Sequence, residues 1–318
     1  MVNKSKKRYA VSLVLSSIFI ALIGGTATAC DPFTNDGFLR FRKIAGKDEY
    51  RVVNLVGTVV DLDVEIPSTY RGLPVTEIGA NAFAFSSRLA SVKIPDTVTT
   101  IGKQAFYSCG GLTRVEIPDS VTTIHEYAFS FCRSLTSIEI PDSVTTLGKY
   151  AFDDCFSLMS VVIGDSLTTI NENTFSYCSS LTSVVVGDSV TSIGEEAFKS
   201  CIKLPSIEIP NSVTTVGDRA FYNCISLTSV MIPDSVTTID NYAFYNCANL
   251  TSIEIPDSVT NIGIFLFSNC RWLTIYCEAE SQPSHWDSSW NYCGKHSNGT
   301  NYCTIVWEYQ SNEINRQG

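Results

Sequence analysis

From Val75 onward the apolar positions recur with a period of 23 residues. One copy, VTTIGKQAFYSCGGLTRVEIPDS, begins at Val98. Others begin at Val75, Val121, Val144, Leu167, Val190, Val213 and Val236, and a degraded ninth, VTNIGIFLFSNCRWLTIYCEAES, begins at Val259. No insertion or deletion interrupts the series, and its consensus is VTTIG-x-x-AF-x-x-C-x-x-LTSI-x-IPDS. Within a copy the pattern changes character. In LTSIEIP the apolar Leu135, Ile138 and Ile140 oppose Ser137 and Glu139, the alternation of a short strand. Pro141 lacks an N–H and ends the ladder, and Asp142-Ser143 favours a turn because both side chains can bond nearby backbone. VTTI reads as a second extended piece, with Val121 and Ile124 inward. Glycine at the fifth position (Gly102, Gly148, Gly194, Gly217, Gly263) permits a bend that a Cβ would obstruct. The AF-x-x-C spacing predicts one short helical turn that buries Ala105, Phe106 and Cys109 in the second copy.

A unit of this size cannot bury its own apolar face, whereas stacked units share one continuous core. The sequence therefore predicts an α/β repeat: a solenoid of nine 23-residue coils, each made of short strands and a short helical turn, in strict register from Val75 to about Ser281. Phe83, Phe106, Phe129, Phe152, Phe175, Phe198, Phe221, Phe244 and Phe267 should form one buried column. The ends of such a stack expose strand edges and need caps. Upstream, Asp48–Ile66 reads as two strands leading through Tyr70-Arg71-Gly72-Leu73-Pro74 into the first coil; downstream, Trp286, Trp290 and Trp307 suit a terminal cover. The expected organisation is a signal peptide over 1–29, a tether and N-terminal cap over 30–74, the solenoid over 75–281 and a C-terminal cap over 282–318.

The export reading rests on Lys4 to Arg8, an apolar run from Tyr9 to Ile23, and Ala27 and Ala29 as a small-x-small cleavage pattern. The run is short for a spanning helix, which needs ~20 residues. Cys30 directly follows Ala27-Thr28-Ala29, which resembles a bacterial lipobox, although Ala27 stands where that pattern prefers leucine. Two outcomes are open: lipidation of Cys30, giving a membrane anchor without a spanning helix, or ordinary cleavage before a cysteine. The formal net charge is −10, and the cationic leader makes the remaining body more acidic still. Such a body repels phosphate backbones and anionic lipid, which argues against nucleic-acid partners and leaves the lipid anchor as the route to a membrane.

The motif IPDSVTTIGxxAFxxCxxLTSIxIP is similar to the BspA-like leucine-rich repeats of bacterial surface proteins. IPSTYRGLPVTEIGANAF looks like the start of such an array, and IYCEAESQPSHWDSSWN with Val306-Trp307 looks like its end. The resemblance runs from about Gly37 to Tyr309. It implies a right-handed leucine-rich-repeat solenoid with a surface-exposed adhesion or protein-binding role and no fixed catalytic residues. The stretch Tyr292–Cys303, with its extra cysteines, departs from the family's short exit.

Eight of the 12 cysteines occupy repeat position twelve: Cys109, Cys132, Cys155, Cys178, Cys201, Cys224, Cys247 and Cys270, with Ser86 in the first copy. One identical residue per coil reads as a buried ladder of small apolar side chains rather than a disulfide framework. Cys277, Cys293 and Cys303 offer one disulfide among the three; with His296 they could instead bind zinc, though their spacing is unlike the usual short pairs. No cofactor is expected.

Motifs for nucleophilic, metal-hydrolytic or phosphate chemistry are missing from the sequence. His125 takes the bend position and reads as an exposed substitution. The acids Asp96, Asp119, Asp142, Asp165, Asp188, Asp234 and Asp257 recur after each strand, which points to a turn role, with weak calcium binding along the edge as the alternative. The expected activity is therefore binding of a protein or glycan ligand, as an adhesin would, on the outward strand positions. In the first eight copies position seventeen is serine except at Arg114, whereas position nineteen varies: Lys93, Glu116, Glu139, Val162, Val185, Glu208, Met231 and Glu254. Val162 and Val185 would form an apolar centre rimmed by Glu139 and Glu208. The competing reading is a passive envelope spacer with a uniform face.

Overall fold

A computed structural model describes residues 34–36, 39–55, 62–294 and 303–310, all within one compact unit, Pro32–Gly318. The expected signal peptide, Cys30 and His296 lie outside the described residues.

The LTSIxIP segments are strands that stack parallel, in register through the eighth copy. The ninth is one residue short, so Ser252 lies beside Thr274 and Ile253 beside Ile275, and the strict register expected to about Ser281 ends there. Ser137–Ile140, Ser160–Ile163 and Ser183–Val185 pair position by position, Glu139 beside Val162 and Val162 beside Val185. The bonded sets break at three steps, before Ser137–Ile140, before Ser206–Glu208 and before Ser252–Ile255. At the second of these a proline removes one more bond. At the strand entrance the Thr182 N–H donates to the Met159 carbonyl at 2.9 Å and the Thr228 N–H to the Pro205 carbonyl at 2.9 Å, but Pro205 has no N–H to offer its predecessor. The VTTI segments form a second column of two-residue strands, from Thr100–Ile101 through Thr146–Leu147 and from Thr169–Ile170 through Asn261–Ile262.

The predicted helical turn is absent: the arc from repeat position five to twelve holds no helix among the described residues. In the third coil Tyr127 and Phe131, at positions seven and eleven, have φ of 57° and 61°, and the same two positions are left-handed in every other coil. Left-handed residues break an α-helix after a single turn. The arc instead splits its N–H groups between two uses. Those of Ala128, Ser130 and Cys132 turn back to His125, Tyr127 and Phe129; those of Tyr127, Phe129 and Phe131 reach forward to Lys149, Ala151 and Asp153 of the next coil at 2.8–3.1 Å. A helix would keep all of these bonds inside one coil, so the left-handed residues are what tie the arcs together. None of these residues is glycine; asparagine, which tolerates this region, takes several of the positions, such as Asn81 and Asn223. The expected role of the fifth-position glycines is only a matter of close approach. A Cβ on Gly148 would lie 2.3 Å from the Glu126 backbone nitrogen, yet His125 and Asp240 occupy the same position in their coils and keep the same bond back to the preceding coil.

The nine phenylalanines form one buried column, with neighbouring rings stacked at centroid distances of 4.9 Å (Phe83–Phe106) to 5.8 Å (Phe244–Phe267). Ahead of it, Tyr50–Leu55 pairs parallel with Leu73–Ile78, and Leu62–Glu65 with Leu89–Lys93. These entry strands are an additional, degenerate coil, giving about ten turns. Phe41 covers that end, stacked on Tyr70 at 4.4 Å. At the other end Trp290 is fully buried and sits edge-on to Phe267, with Trp286 at 4.9 Å and Trp307 at 6.4 Å. Thr304–Val306 closes the strand stack against Thr274–Cys277.

Candidate functional site: the outward strand face

The strand alternation that buries Ile138, Val161 and Ile207 turns positions seventeen and nineteen to solvent. Position nineteen is therefore one column across the solenoid. Near the N-terminal end its charges are internally matched: Lys93 meets Glu65 at 2.6 Å and Arg114 reaches Glu116 at 3.8 Å. Such exposed pairs contribute little stability. Further along, Glu139 and Glu208 are exposed and make no ion pair or hydrogen bond with any described residue. Between them stand Val162 and Val185, 40% and 54% exposed, directly paired across their strands. Met231, 58% exposed, and Glu254 continue the column. All eight residues singled out in the sequence thus lie on one face, and within it Val162 and Val185 form an aliphatic pair bracketed by Glu139 and Glu208.

Two further apolar side chains escaped the sequence reading. Phe156 and Met159, 56% and 50% exposed, belong to the same coil as Val162. Met159 departs from the consensus, which has threonine there, whereas Phe156 stands at a position without a fixed residue. A comparison of copies at positions thirteen and sixteen, rather than within the strand alone, reveals them.

The cysteine column is structural. Each thiol donates to the carbonyl of the phenylalanine in the preceding coil, from Cys109 to Phe83 at 3.0 Å through Cys270 to Phe244 at 3.2 Å. Burial pushes the thiols of Cys109, Cys224 and Cys270 up to about 12, which keeps them protonated and unreactive. Among the terminal cysteines, Cys293 and Cys303 are joined in a disulfide with Cα atoms 5.4 Å apart, and Cys277 is free and buried. That bond occupies two of the four groups the zinc alternative needs.

The recurring aspartates are partly explained. Asp142 accepts the backbone N–H of Asp165 at 2.9 Å, and Asp165 that of Asp188 at 3.0 Å. Their carboxylates tie one turn to the next. His125 and His285 are both exposed, far apart in the chain, and neither faces a partner base or nucleophile.

One half-buried acid was not foreseen. Asp153, on the arc of the fourth coil, sits in a column with Ser130 and Ser176, whose buried hydroxyls have no partner. Burial, and then the neighbouring Asp154 carboxylate, push its carboxyl up to about 7.

This geometry of parallel short strands, left-handed arcs and a cysteine-phenylalanine core can be set beside known proteins. The family model for the BspA type leucine rich repeat region matches residues 63–182 and 168–293. The chain belongs to the BspA-type leucine-rich repeat family. Among solved structures, a leucine rich cell surface protein from Faecalibacterium prausnitzii A2-165 is 33% identical, with 82% of this chain and 79% of that one covered and a TM-score of 0.60. The T. pallidum Leucine Rich Repeat protein is 28% identical, over 68% of this chain and 90% of that one, with a TM-score of 0.51. No curated protein matches. The BspA-type repeat accounts for the columns inside the coil; it says nothing of the residues that break the pattern outside it.

Proposed function

We propose that this BspA-type protein is exported, held at the cell surface, and works by binding a protein or glycan ligand on its strand face rather than by catalysis. The observation that carries this reading is the cluster of exposed apolar side chains in coils four and five. Met159, Val162 and Val185 stand in columns that other coils fill mainly with threonine and glutamate, and Phe156 stands in a column with no fixed residue. Soluble proteins keep contiguous apolar surface small, and where it collects on a polar face it marks a contact site. A passive spacer would need no such concentration. The surface placement draws on the leader of residues 1–29 and on the cell-surface relative. Lipidation at Cys30 would supply the anchor.

The double substitution Val162→Glu with Val185→Glu tests the reading. It extends the glutamates already present at this position and should leave folding within about 0.5 kcal/mol of the parent, as exposed changes usually do. Partners captured from extracellular proteins and from envelope material should lose at least tenfold in affinity for the variant. Unchanged affinity with an unchanged unfolding curve would sink the proposal. Mass spectrometry of the mature N-terminus tests the export step: an intact Met1 eliminates it, and an unmodified Cys30 eliminates the anchor.

A further inference from the structure

The column Glu139–Val162–Val185–Glu208 contains more than an apolar patch. Its four residues stand on consecutive coils, so their order is acid, aliphatic, aliphatic, acid along the solenoid axis. Some acids on the described surface find cations within the chain: Glu126 with Lys103, Glu172 with Lys149, Glu196 with Lys199 and Asp154 with Arg133. Glu139 and Glu208, like Asp119, Asp188 and Glu280, are exposed acids without such a pair, and on the strand face these two bracket the valines. Two unmatched carboxylates bracket an exposed aliphatic pair on a chain of net charge −10. The chemistry missing from this face is cationic.

Spacing narrows the partner. Strands in a sheet lie ~4.8 Å apart, so three steps from Glu139 to Glu208 span about 14 Å. An extended polypeptide rises ~3.4 Å per residue and turns every second side chain to the same side, so residues i and i+4 project alike about 14 Å apart. On a helix, i and i+7 lie ~10.5 Å apart, too short, and i and i+11 lie ~16.5 Å apart, too long. In an extended chain residue i+2 would then fall over the valine pair. The backbone groups of the first three strands are paired with one another and those of Ser206–Glu208 with Ser229–Met231, so a partner engages the column through its side chains. The serines at position seventeen, Ser137, Ser160, Ser183 and Ser206, run alongside and offer hydroxyls to the partner's own backbone.

Building on the binding role proposed above, we propose that coils three to six form a docking strip for an extended polypeptide segment of the pattern cation–x–aliphatic–x–cation. The cations sit over Glu139 and Glu208, and the aliphatic residue sits over Val162 and Val185. Orientation and register come from the two charge pairs, and the central contact excludes water.

The test uses the full mature chain and fluorescently labelled peptides with Gly-Ser flanks, read by polarisation at low salt. One peptide carries Lys-Ser-Val-Ser-Lys, one Glu-Ser-Val-Ser-Glu, one Lys-Ser-Val-Lys-Ser, and one Ser-Ser-Val-Ser-Ser. The first should bind at least fivefold tighter than the other three. The variant Glu139→Lys with Glu208→Lys should reverse the preference, taking the second peptide over the first. That reversal separates site-specific pairing from general attraction between a basic peptide and an acidic protein. Equal binding of Lys-Ser-Val-Ser-Lys and Ser-Ser-Val-Ser-Ser that is lost in Val162→Glu/Val185→Glu overturns the pattern and leaves the contact patch standing. Equal binding of the two lysine peptides overturns the register. No binding by any peptide up to millimolar concentration overturns the strip outright, and the loss of captured partners in the valine variant then decides the broader reading by itself.

Discussion

The arc and the strand face of one coil differ in what the repeat demands of them. On the arc, alanine, phenylalanine and cysteine recur with few exceptions, their side chains are buried, and alternate N–H groups are committed to the next coil. On the strand face the inward residues repeat, but the outward ones are free: lysine, glutamate, valine and methionine take turns at position nineteen. Uniformity thus follows burial, since every coil meets the same two neighbours, and variation collects where a side chain meets only water. A change on the arc should disturb the stack, and a change on the face should disturb recognition.

The largest expected break of that contrast is Phe152→Ala. This ring is fully buried between Phe129 and Phe175, at 5.1 and 5.5 Å. Its loss should cost about 3–5 kcal/mol in urea unfolding, as for other buried aromatics. A cost below about 1 kcal/mol would mean that the stack relaxes around the gap and that the column does not hold the coils together.

Asp153 sharpens the contrast as an arc residue that breaks the apolar rule. Partial burial, and then the Asp154 carboxylate, push its carboxyl up to about 7 in the fold from an ordinary 3.8. The folded state therefore holds the proton more tightly, so stability falls as pH rises from about 4 to about 7 and stays low above that. Asp153→Asn should remove that slope and stabilise the protein at pH 8 by on the order of 2 kcal/mol, with little change at pH 4. Parallel unfolding curves for parent and variant across this range would show the carboxyl to be solvated.

A smaller effect is expected at the thiol ladder. Cys178 donates to the Phe152 carbonyl at 3.3 Å, and a hydroxyl could make the same bond, as Ser86 stands at this position in the first coil. Cys178→Ser should cost about 1 kcal/mol, the order of one hydrogen-bond rearrangement. Native protein at pH 8 should resist alkylation at all eight column thiols and become reactive only on unfolding. Fast native labelling would place the column at the surface. The smallest change belongs to the face: Glu139→Gln and Glu208→Gln should each shift stability by less than about 0.5 kcal/mol, by the same unfolding measurement.

The repeat period, the register of the first eight coils, the buried phenylalanine and cysteine columns and the solvent side of their strands are legible in the sequence alone. An unbroken period leaves one way to stack equivalent residues, and a two-residue alternation assigns inside and outside within a strand. The one-residue slip of the ninth strand is not legible there, since it shows only in the pairing of Ile253 with Ile275. Only the tertiary structure decided the backbone of the arc. The spacing of Ala, Phe and Cys suits a helical turn as well as the left-handed path observed, and the choice between them is made by hydrogen bonds to the next coil, which no single copy contains. The same holds for Asp153, whose raised carboxyl is a property of the coils above and below it. It holds also for the patch around Val162, where Phe156 and Met159 join the valines through their shared exposure, a matter of which side chains the stack leaves uncovered.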